Sequence, residues 1–131
     1  MPKVVLDTNV IVSNAISDKG NPAEIINLIS DKKLIVYYNA EILAEYSEVL
    51  SRKKFKFSPA KQKYAIDKIK ALGILVKPSK SDIELPDESD RMFYDAAKAA
   101  EAYLITGNLK HYPEEPHILL PAQFIEIFGG E

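Results

Sequence analysis

The stretch that decides the fold is KVVLDTNVIV, residues 3–12. Its first half is a short β-branched and aliphatic run, which is typical of a buried parallel strand over residues 4–6. A carboxylate, Asp7, follows directly, and Thr8 and Asn9 come next. Side chains of this kind cap helix N-termini, so a short helix is predicted over residues 10–16. The stretch therefore predicts a strand followed by a helix, with the Asp7 carboxylate between them at the edge of the core.

The rest of the chain alternates the same two patterns. Further strands are predicted at residues 34–38, 74–76, 103–106 and 118–120, and helices at about 23–30, 40–53, 59–72, 89–102 and 121–128. Asn21, Asn39 and Ser58 are the predicted caps of the first three of these helices, and Gly73 is the predicted stop of the third. The alternation indicates an α/β sandwich around a mainly parallel sheet of about five strands.

Length and composition favour one globular unit. The 131 residues are 47% hydrophobic and 27% charged, as in ordinary globular proteins. We therefore expect a single domain over residues 1–131. No stretch is apolar enough to span a bilayer, and Asp7 interrupts the only candidate for a leader, so a cytoplasmic location is expected.

The residue inventory restricts the chemistry. The chain has no cysteine, which excludes thiolate nucleophiles and cysteine zinc sites, and its two histidines, His111 and His117, are too few for a multi-histidine metal site. Carboxylates remain, and they favour hard cations such as Mg²⁺ or Mn²⁺. The net charge of −2 does not itself indicate nucleic-acid binding, although bases can surround an acidic pocket.

Three acids have positions that favour one cleft. Asp7 follows the first strand, and ligands of parallel sheets bind beyond the carboxyl ends of strands. At ~100° per residue, Glu45 lies roughly 105° from the centre of its helix's apolar stripe, and Asp90 roughly 80° from the centre of its own. Asp95, at roughly 140°, is expected to be solvated. Each acid also has an ordinary explanation: Asp7 as a helix cap, Glu45 as a surface residue and Asp90 as a first-turn acid.

Three segments carry a resemblance to a known family. VVLDTNVIVSNAI, EILAEYSEVLSRKKF and DESDRMFYDAAKAAEAYLITGNLKHYP resemble, in order, the motifs of PIN-domain ribonucleases. The likeness covers nearly the whole chain and is greatest to the VapC-like toxins of type II toxin–antitoxin pairs. It implies a three-layer α/β/α fold, hydrolysis of single-stranded RNA with Mg²⁺ or Mn²⁺, a small antitoxin partner and a homodimer.

The resemblance also assigns residues. The family's metal ligands and catalytic acids fall on Asp7, Glu45 and Asp90, and its neighbouring polar positions on Asn9, Ser13 and Thr106.

One position departs from the pattern: many PIN domains have an aspartate where this chain has Asn108. A neutral amide supplies no charge to offset a second cation, which favours a one-metal or weakly two-metal site. Asp87 is a candidate for partial compensation.

A basic stretch follows the Glu45 helix. Arg52, Lys53, Lys54 and Lys56 alternate with two phenylalanines, a pattern that suits phosphate contacts and base stacking on RNA. The alternative is a solvated helix end whose lysines favour the dipole, with the phenylalanines in the core. We interpret His111 as a loop residue rather than a general base.

Two other functions are compatible with parts of the pattern. A degenerate PIN domain would bind RNA or a protein without cutting, and Asn108 motivates that alternative. A phosphatase of the haloacid dehalogenase type also has an aspartate after its first strand, but it needs a second one where this chain has Asn9. The sequence therefore favours the nuclease.

Overall fold

The computed structural model describes residues 1–129, so the last two residues of the predicted domain range lie outside it. Five parallel strands form one sheet in the order β3-β2-β1-β4-β5 within those residues. The strands are β1 (Lys3–Leu6), β2 (Ile35–Tyr38), β3 (Ile74–Leu75), β4 (Tyr103–Ile105) and β5 (Ile118–Leu119). Helices cover both faces, which confirms the predicted three-layer α/β/α class.

Six α-helices connect and flank the strands in the described part of the chain. They are α1 (Thr8–Ile16), α2 (Asn21–Ser30), α3 (Ala40–Leu50), α4 (Pro59–Leu72), α5 (Arg91–Ala100) and α6 (Pro121–Phe128). Three short 3₁₀ turns add Lys53–Phe55, Glu88–Asp90 and Leu109–His111. Every strand and helix predicted from the sequence is therefore present, within one to three residues at each end.

The helix caps were predicted in part. The side chains of Asn39 and Ser58 accept the backbone N–H groups of Ile42 and Lys61, at 2.9 and 3.1 Å, as expected. The prediction for Asn21 was wrong, because Asn21 is the first residue of α2 and the N-cap is Gly20. Gly20 has a φ of +98°, a conformation that favours glycine and lets the chain enter the helix from the preceding loop.

The core lies around β1, the central strand. Val4, Val5 and Leu6 are fully buried, and Tyr46, Phe93 and Phe124 are the largest side chains packed around the sheet. Strand β1 pairs with β2 on one side and with β4 on the other. The chain builds the sheet outward from β1 through β2 to β3 on one side and then continues with β4 and β5 on the other side. A topological switch point therefore lies between β1 and β4, and such a point opens a crevice beyond the carboxyl ends of the two strands.

Candidate functional site

Asp7 lies at the switch point and is held there by two hydroxyl groups. Its backbone N–H donates to Ile105 O at 2.9 Å, which continues the pairing of β1 with β4. Its Oδ2 accepts hydrogen bonds from Thr106 Oγ1 at 2.8 Å and from Tyr112 OH at 2.9 Å. Only 5% of Asp7 is exposed. Both hydrogen bonds reach Oδ2, and Oδ1 accepts none within the described residues, so Oδ1 is the oxygen available to a ligand.

Two buried phenols support this position. Tyr46 OH donates to Leu6 O, the carbonyl of the residue before Asp7. Burial, and then the charge of Asp7, raises the pKa of both Tyr46 and Tyr112 well above the usual range. The two hydroxyls therefore stay protonated and act as donors. Sequence reasoning missed both tyrosines, because each reaches the site from a distant part of the chain.

A polar corner fixes Thr106, which is fully buried. Its Oγ1 donates to Asp7 and accepts from the backbone N–H of Asn108 at 3.1 Å, with Asn9 Nδ2 at 3.5 Å. Asn9 Oδ1 accepts the N–H of Gly107 at 2.8 Å. A Cβ at Gly107 would lie 3.2 Å from Asn9 Oδ1, so glycine allows this close approach. Asn9 therefore acts on Asp7 through Thr106.

The start of α1 differs from the sequence prediction. Asp7 occupies the N-cap position, but its side chain makes no capping hydrogen bond. The Asp7 carboxylate is held by Thr106 and Tyr112 rather than by its chain neighbours Thr8 and Asn9. Ser13 lies exposed on α1 and makes no side-chain hydrogen bond within the described residues.

Asp90 is the second buried acid of the site. It is 9% exposed, and its Oδ2 has no hydrogen-bond donor among the described residues, although His111 Nδ1 lies 3.2 Å away outside hydrogen-bond geometry. Burial, followed by the charge of Asp7, raises the pKa of Asp90 to about 6. Asp87 and Glu45 raise it further, and His111 opposes them.

Glu45 approaches the same region from α3. It is half-buried, whereas its neighbours Glu41 and Glu48 are exposed, which agrees with the helical-angle prediction. Burial is the main cause that raises its pKa; Glu48, Asp7 and Asp87 add to it, and Arg52 lowers it. Glu45 and Asp90 therefore each lie within electrostatic range of Asp7 and Asp87.

Asp87 differs from the other acids because it is exposed and already bonded. Its Oδ1 accepts the backbone N–H and the hydroxyl of Ser89, at 2.9 and 2.8 Å, and these bonds lower its pKa. The carboxylate caps the 3₁₀ turn that leads into α5. Its primary structural role is thus to shape the approach to Asp90.

The acidic side chains have the oxygen donors that a hard cation prefers, but they are not arranged as a complete metal-binding site. Within residues 1–129, no group of three or more acidic or histidine side chains is arranged to hold a metal ion. The donor set is hard oxygen, Asp90 Oδ2 is buried without a donor, and the four carboxylates repel one another. A divalent cation would offset that repulsion if modest side-chain movement brought the acids together.

Asn108 and His111 form a hydrogen-bonded pair beside Asp90. Asn108 Oδ1 accepts the N–H of Lys110 at 3.2 Å, so its Nδ2 faces His111 Nε2 at 2.9 Å. Because Nδ2 is a donor, the network assigns the imidazole proton to Nδ1, the nitrogen nearest Asp90. His111 therefore contacts the site, which the sequence interpretation of it as a plain loop residue did not predict.

The basic stretch begins with Arg52, which lies near Glu45. Arg52 pairs with Glu48 at 3.1 Å and is near enough to lower the pKa of Glu45. The rings of Phe55 and Phe57 are half-buried and stack on each other with centroids 5.4 Å apart. Lys54 Nζ lies 5.1 Å from the centre of the Phe55 ring. The two phenylalanines therefore pack on one another rather than entering the core fully.

Comparison with known proteins agrees with this architecture. A family model described as "PIN domain" matches residues 3–110. An uncharacterized protein of Methanocaldococcus jannaschii is 30% identical over 109 residues, which cover 81% of this chain and 70% of that protein. A chain in the crystal structure of VapBC2 from Rickettsia felis, bound to a DNA fragment from the promoter, is 19% identical with a TM-score of 0.60. That match covers 90% of this chain and 96% of the other, and it shows the fold.

One further property concerns the helices. Among the described residues, no helix combines the length and the apolar composition needed to cross a bilayer.

Proposed function

Because the chain belongs to the PIN-domain family, we propose that it is an endoribonuclease that needs Mg²⁺ or Mn²⁺ and hydrolyses phosphodiester bonds of single-stranded RNA. The observation that supports the proposal is the electrostatics of Asp90 beside the switch point of the sheet, where burial, and then the charges of Asp7, Asp87 and Glu45, raises its pKa to about 6. A protein gains nothing in stability from such repulsion, so a bound cation is the simplest reason for it.

Each acid has a role in this proposal. Asp7 is the fixed ligand, because Thr106 and Tyr112 hold its Oδ2 and leave Oδ1 free. Asp90 offers its donor-free Oδ2, and Glu45 completes the set from α3. A divalent ion bound there supplies a Lewis acid for the phosphate and an activated water. The protein's own part is to orient the three carboxylates and to exclude competing donors from them.

The basic stretch supports RNA as the substrate. Arg52 lies near Glu45, and Lys53, Lys54 and Lys56 follow it along the chain, so this stretch could offset the repulsion between the acids and a phosphate backbone. The stacked rings of Phe55 and Phe57 offer an aromatic edge for unpaired bases. An open cleft of this kind suits a single strand better than a duplex.

We extend the proposal to the biological setting. The described fold resembles that of a chain in the VapBC2 complex, which supports a toxin role with a small antitoxin partner. We further propose that residues 1–131 form one domain, that the chain is a homodimer and that it acts in the cytoplasm.

The second candidate function is a degenerate PIN domain that binds RNA or a protein without cutting. Two observations favour it. Asn108 stands where many PIN domains have an aspartate, and the acids of the described residues are not arranged as a complete metal-binding site. Cleavage separates the two candidates, whereas RNA binding does not.

The test compares the wild-type protein with Asp7→Asn and a control. Single-stranded RNA is incubated with each protein in Mn²⁺, in Mg²⁺ and in EDTA. We expect cleavage by the wild type only when metal is present, and loss of at least about 100-fold in Asp7→Asn, the scale seen when a metal-site group is lost. Asp67→Asn, an exposed change on α4, should cleave like the wild type. Equal cleavage by wild type and Asp7→Asn would refute the enzyme, and binding without cleavage would establish the alternative.

A further inference from the structure

Arg91 closes a loop that the proposed chemistry does not use. The chain has only two arginines, and Arg91 directly follows Asp90. Its Nη1 donates to both Ser81 O and Ser81 Oγ, at 2.8 and 2.7 Å, and its Nη2 donates to Ile83 O at 2.5 Å. The same guanidinium binds both carboxylate oxygens of Glu88. Residues 81–91, which we name the Arg91 loop, are thereby closed on themselves.

Asp95 adds a second anchor one helical turn later. Its Oδ2 accepts the backbone N–H of Ser81 at 3.2 Å, so α5 binds the N–H, the carbonyl and the hydroxyl of that one residue. The prediction that Asp95 is solvated was wrong, since it is only 6% exposed. Its helical angle was right, but the Arg91 loop folds over the outer face of α5 and covers it.

The guanidinium is well suited to this task. The Arg91 side chain is 12% exposed, and its Nε, Nη1 and Nη2 atoms all donate within the loop. A planar fork can serve several acceptors in fixed directions, which a lysine ammonium on a flexible stem cannot reproduce. The contacts are made to backbone carbonyls and to Ser81 and Glu88, so Arg91 touches neither Asp7 nor Glu45.

The Arg91 loop encloses the acidic approach to α5. Asp87 accepts two hydrogen bonds from Ser89, and the backbone N–H of Asp90 donates to Asp87 O at 3.1 Å. Asp90 is thus the last residue of a capped 3₁₀ turn and directly precedes Arg91, whose side chain closes the loop. The position of its carboxylate follows from the path of this short segment.

We propose that Arg91 is a positioning residue that fixes the Asp87–Asp90 segment and so aims the Asp90 carboxylate into the cleft. The proposal rests on the proposed nuclease function for its catalytic consequence. It does not rest on that function for its structural consequence, which is a rigid Asp87–Asp90 segment. The two consequences can therefore be measured separately.

The experiment uses Arg91→Lys, Arg91→Ala and the exposed control Asp67→Asn. Amide hydrogen exchange at Ser89 and Asp90 should be at least about tenfold faster in both Arg91 variants, while amides of β1 and β4 keep the wild-type rate. The RNA cleavage kcat should fall about 10- to 100-fold with KM within about twofold, the scale of losing a group that orients a ligand. Guanidinium ion at millimolar concentration should restore part of kcat to Arg91→Ala, and ammonium ion should not.

The outcomes are distinguishable. Unchanged exchange at Ser89 and Asp90 in both Arg91 variants overturns the proposal, whatever the activity. Faster exchange throughout the core, with loss of kcat and a rise in KM together, also overturns it, because Arg91 would then be a general stabiliser. If the wild type cleaves no RNA, the nuclease proposal fails, and the exchange rates alone decide whether Arg91 fixes the segment.

Discussion

Replacing Asp90 by asparagine tests the electrostatics of the site most directly. The carboxylate is 9% exposed, and burial together with the charges of Asp7, Asp87 and Glu45 raises its pKa from 3.8 to about 6. The native state therefore holds this proton more tightly than the unfolded state does. The free energy of unfolding therefore decreases as pH rises from about 4 to about 6, and above that range the full decrease due to ionised Asp90 is present.

The size of the effect follows from linkage. With pKa values of 3.8 unfolded and about 6 native, ionised Asp90 destabilises the metal-free protein by about 1 kcal/mol at pH about 4.5 and by about 3 kcal/mol at pH about 7.5. Asparagine has nearly the same shape and no charge. Asp90→Asn should therefore be more stable than the wild type at pH about 7.5, by up to about 3 kcal/mol or roughly 10 °C in Tm.

The assay is thermal unfolding of both proteins in EDTA at the two pH values, and again with saturating Mn²⁺. Binding of Mn²⁺ to the native state should raise the Tm of the wild type more than that of Asp90→Asn and so narrow or reverse the difference. Asp67→Asn, which removes an exposed carboxylate, should change stability by less than about 0.5 kcal/mol at either pH. A variant less stable than the wild type at pH about 7.5 without metal, or a gain equal at both pH values, would refute the reasoning.

Three further substitutions test other parts of the proposed site. Tyr112→Phe removes one of the two donors to Asp7 and should destabilise the protein by about 1–3 kcal/mol in urea unfolding, with a loss below about 0.5 kcal/mol contradicting the assigned bond. Asn108→Asp adds a carboxylate beside His111 and should lower the Tm in EDTA while strengthening Mn²⁺ binding in calorimetry; unchanged binding would show that position 108 lies outside the metal's reach. Lys54→Glu should weaken RNA binding and reduce the slope of log affinity against log salt by about one or more, and an unchanged slope would remove Lys54 from the RNA path.

The fold was predictable because its signals are local. Strand runs of aliphatic residues, helical stripes and the caps at Asn39 and Ser58 each depend on neighbours within a few positions. Parallel strands bring their carboxyl ends to one edge, so the sequence could also place Asp7 at the edge of the sheet where ligands bind. The helical angle of Glu45 was informative for the same reason, since it depends on a period of ~3.6 residues. Asp90, predicted to lie within a helix, is instead the last residue of the 3₁₀ turn before α5.

The supports of the site were not predictable from such patterns. Tyr46 reaches the carbonyl before Asp7 from 40 residues away, and Tyr112 reaches its carboxylate from 105 residues away. No periodicity links residues at those separations. Asp95 is a second example of a position that local patterns could not predict. Its angle on α5 was right, but the Arg91 loop, which precedes α5 in the chain, covers that face of the helix. Local chemistry predicts the direction of a side chain, and tertiary packing decides what it meets.

Asn108 shows how the missing acid changes the site. The amide does not replace the lost charge: its Oδ1 accepts the Lys110 N–H, and its Nδ2 is committed to His111. An aspartate in this position would accept a hydrogen bond from the Nε2–H of His111. The asparagine amide instead donates to Nε2, and the other ring nitrogen, Nδ1, lies 3.2 Å from Asp90. Asn108 and His111 therefore give Asp90 polar neighbours but no further anionic ligand. Under the proposed function, the absence of that negative charge favours one bound cation over two.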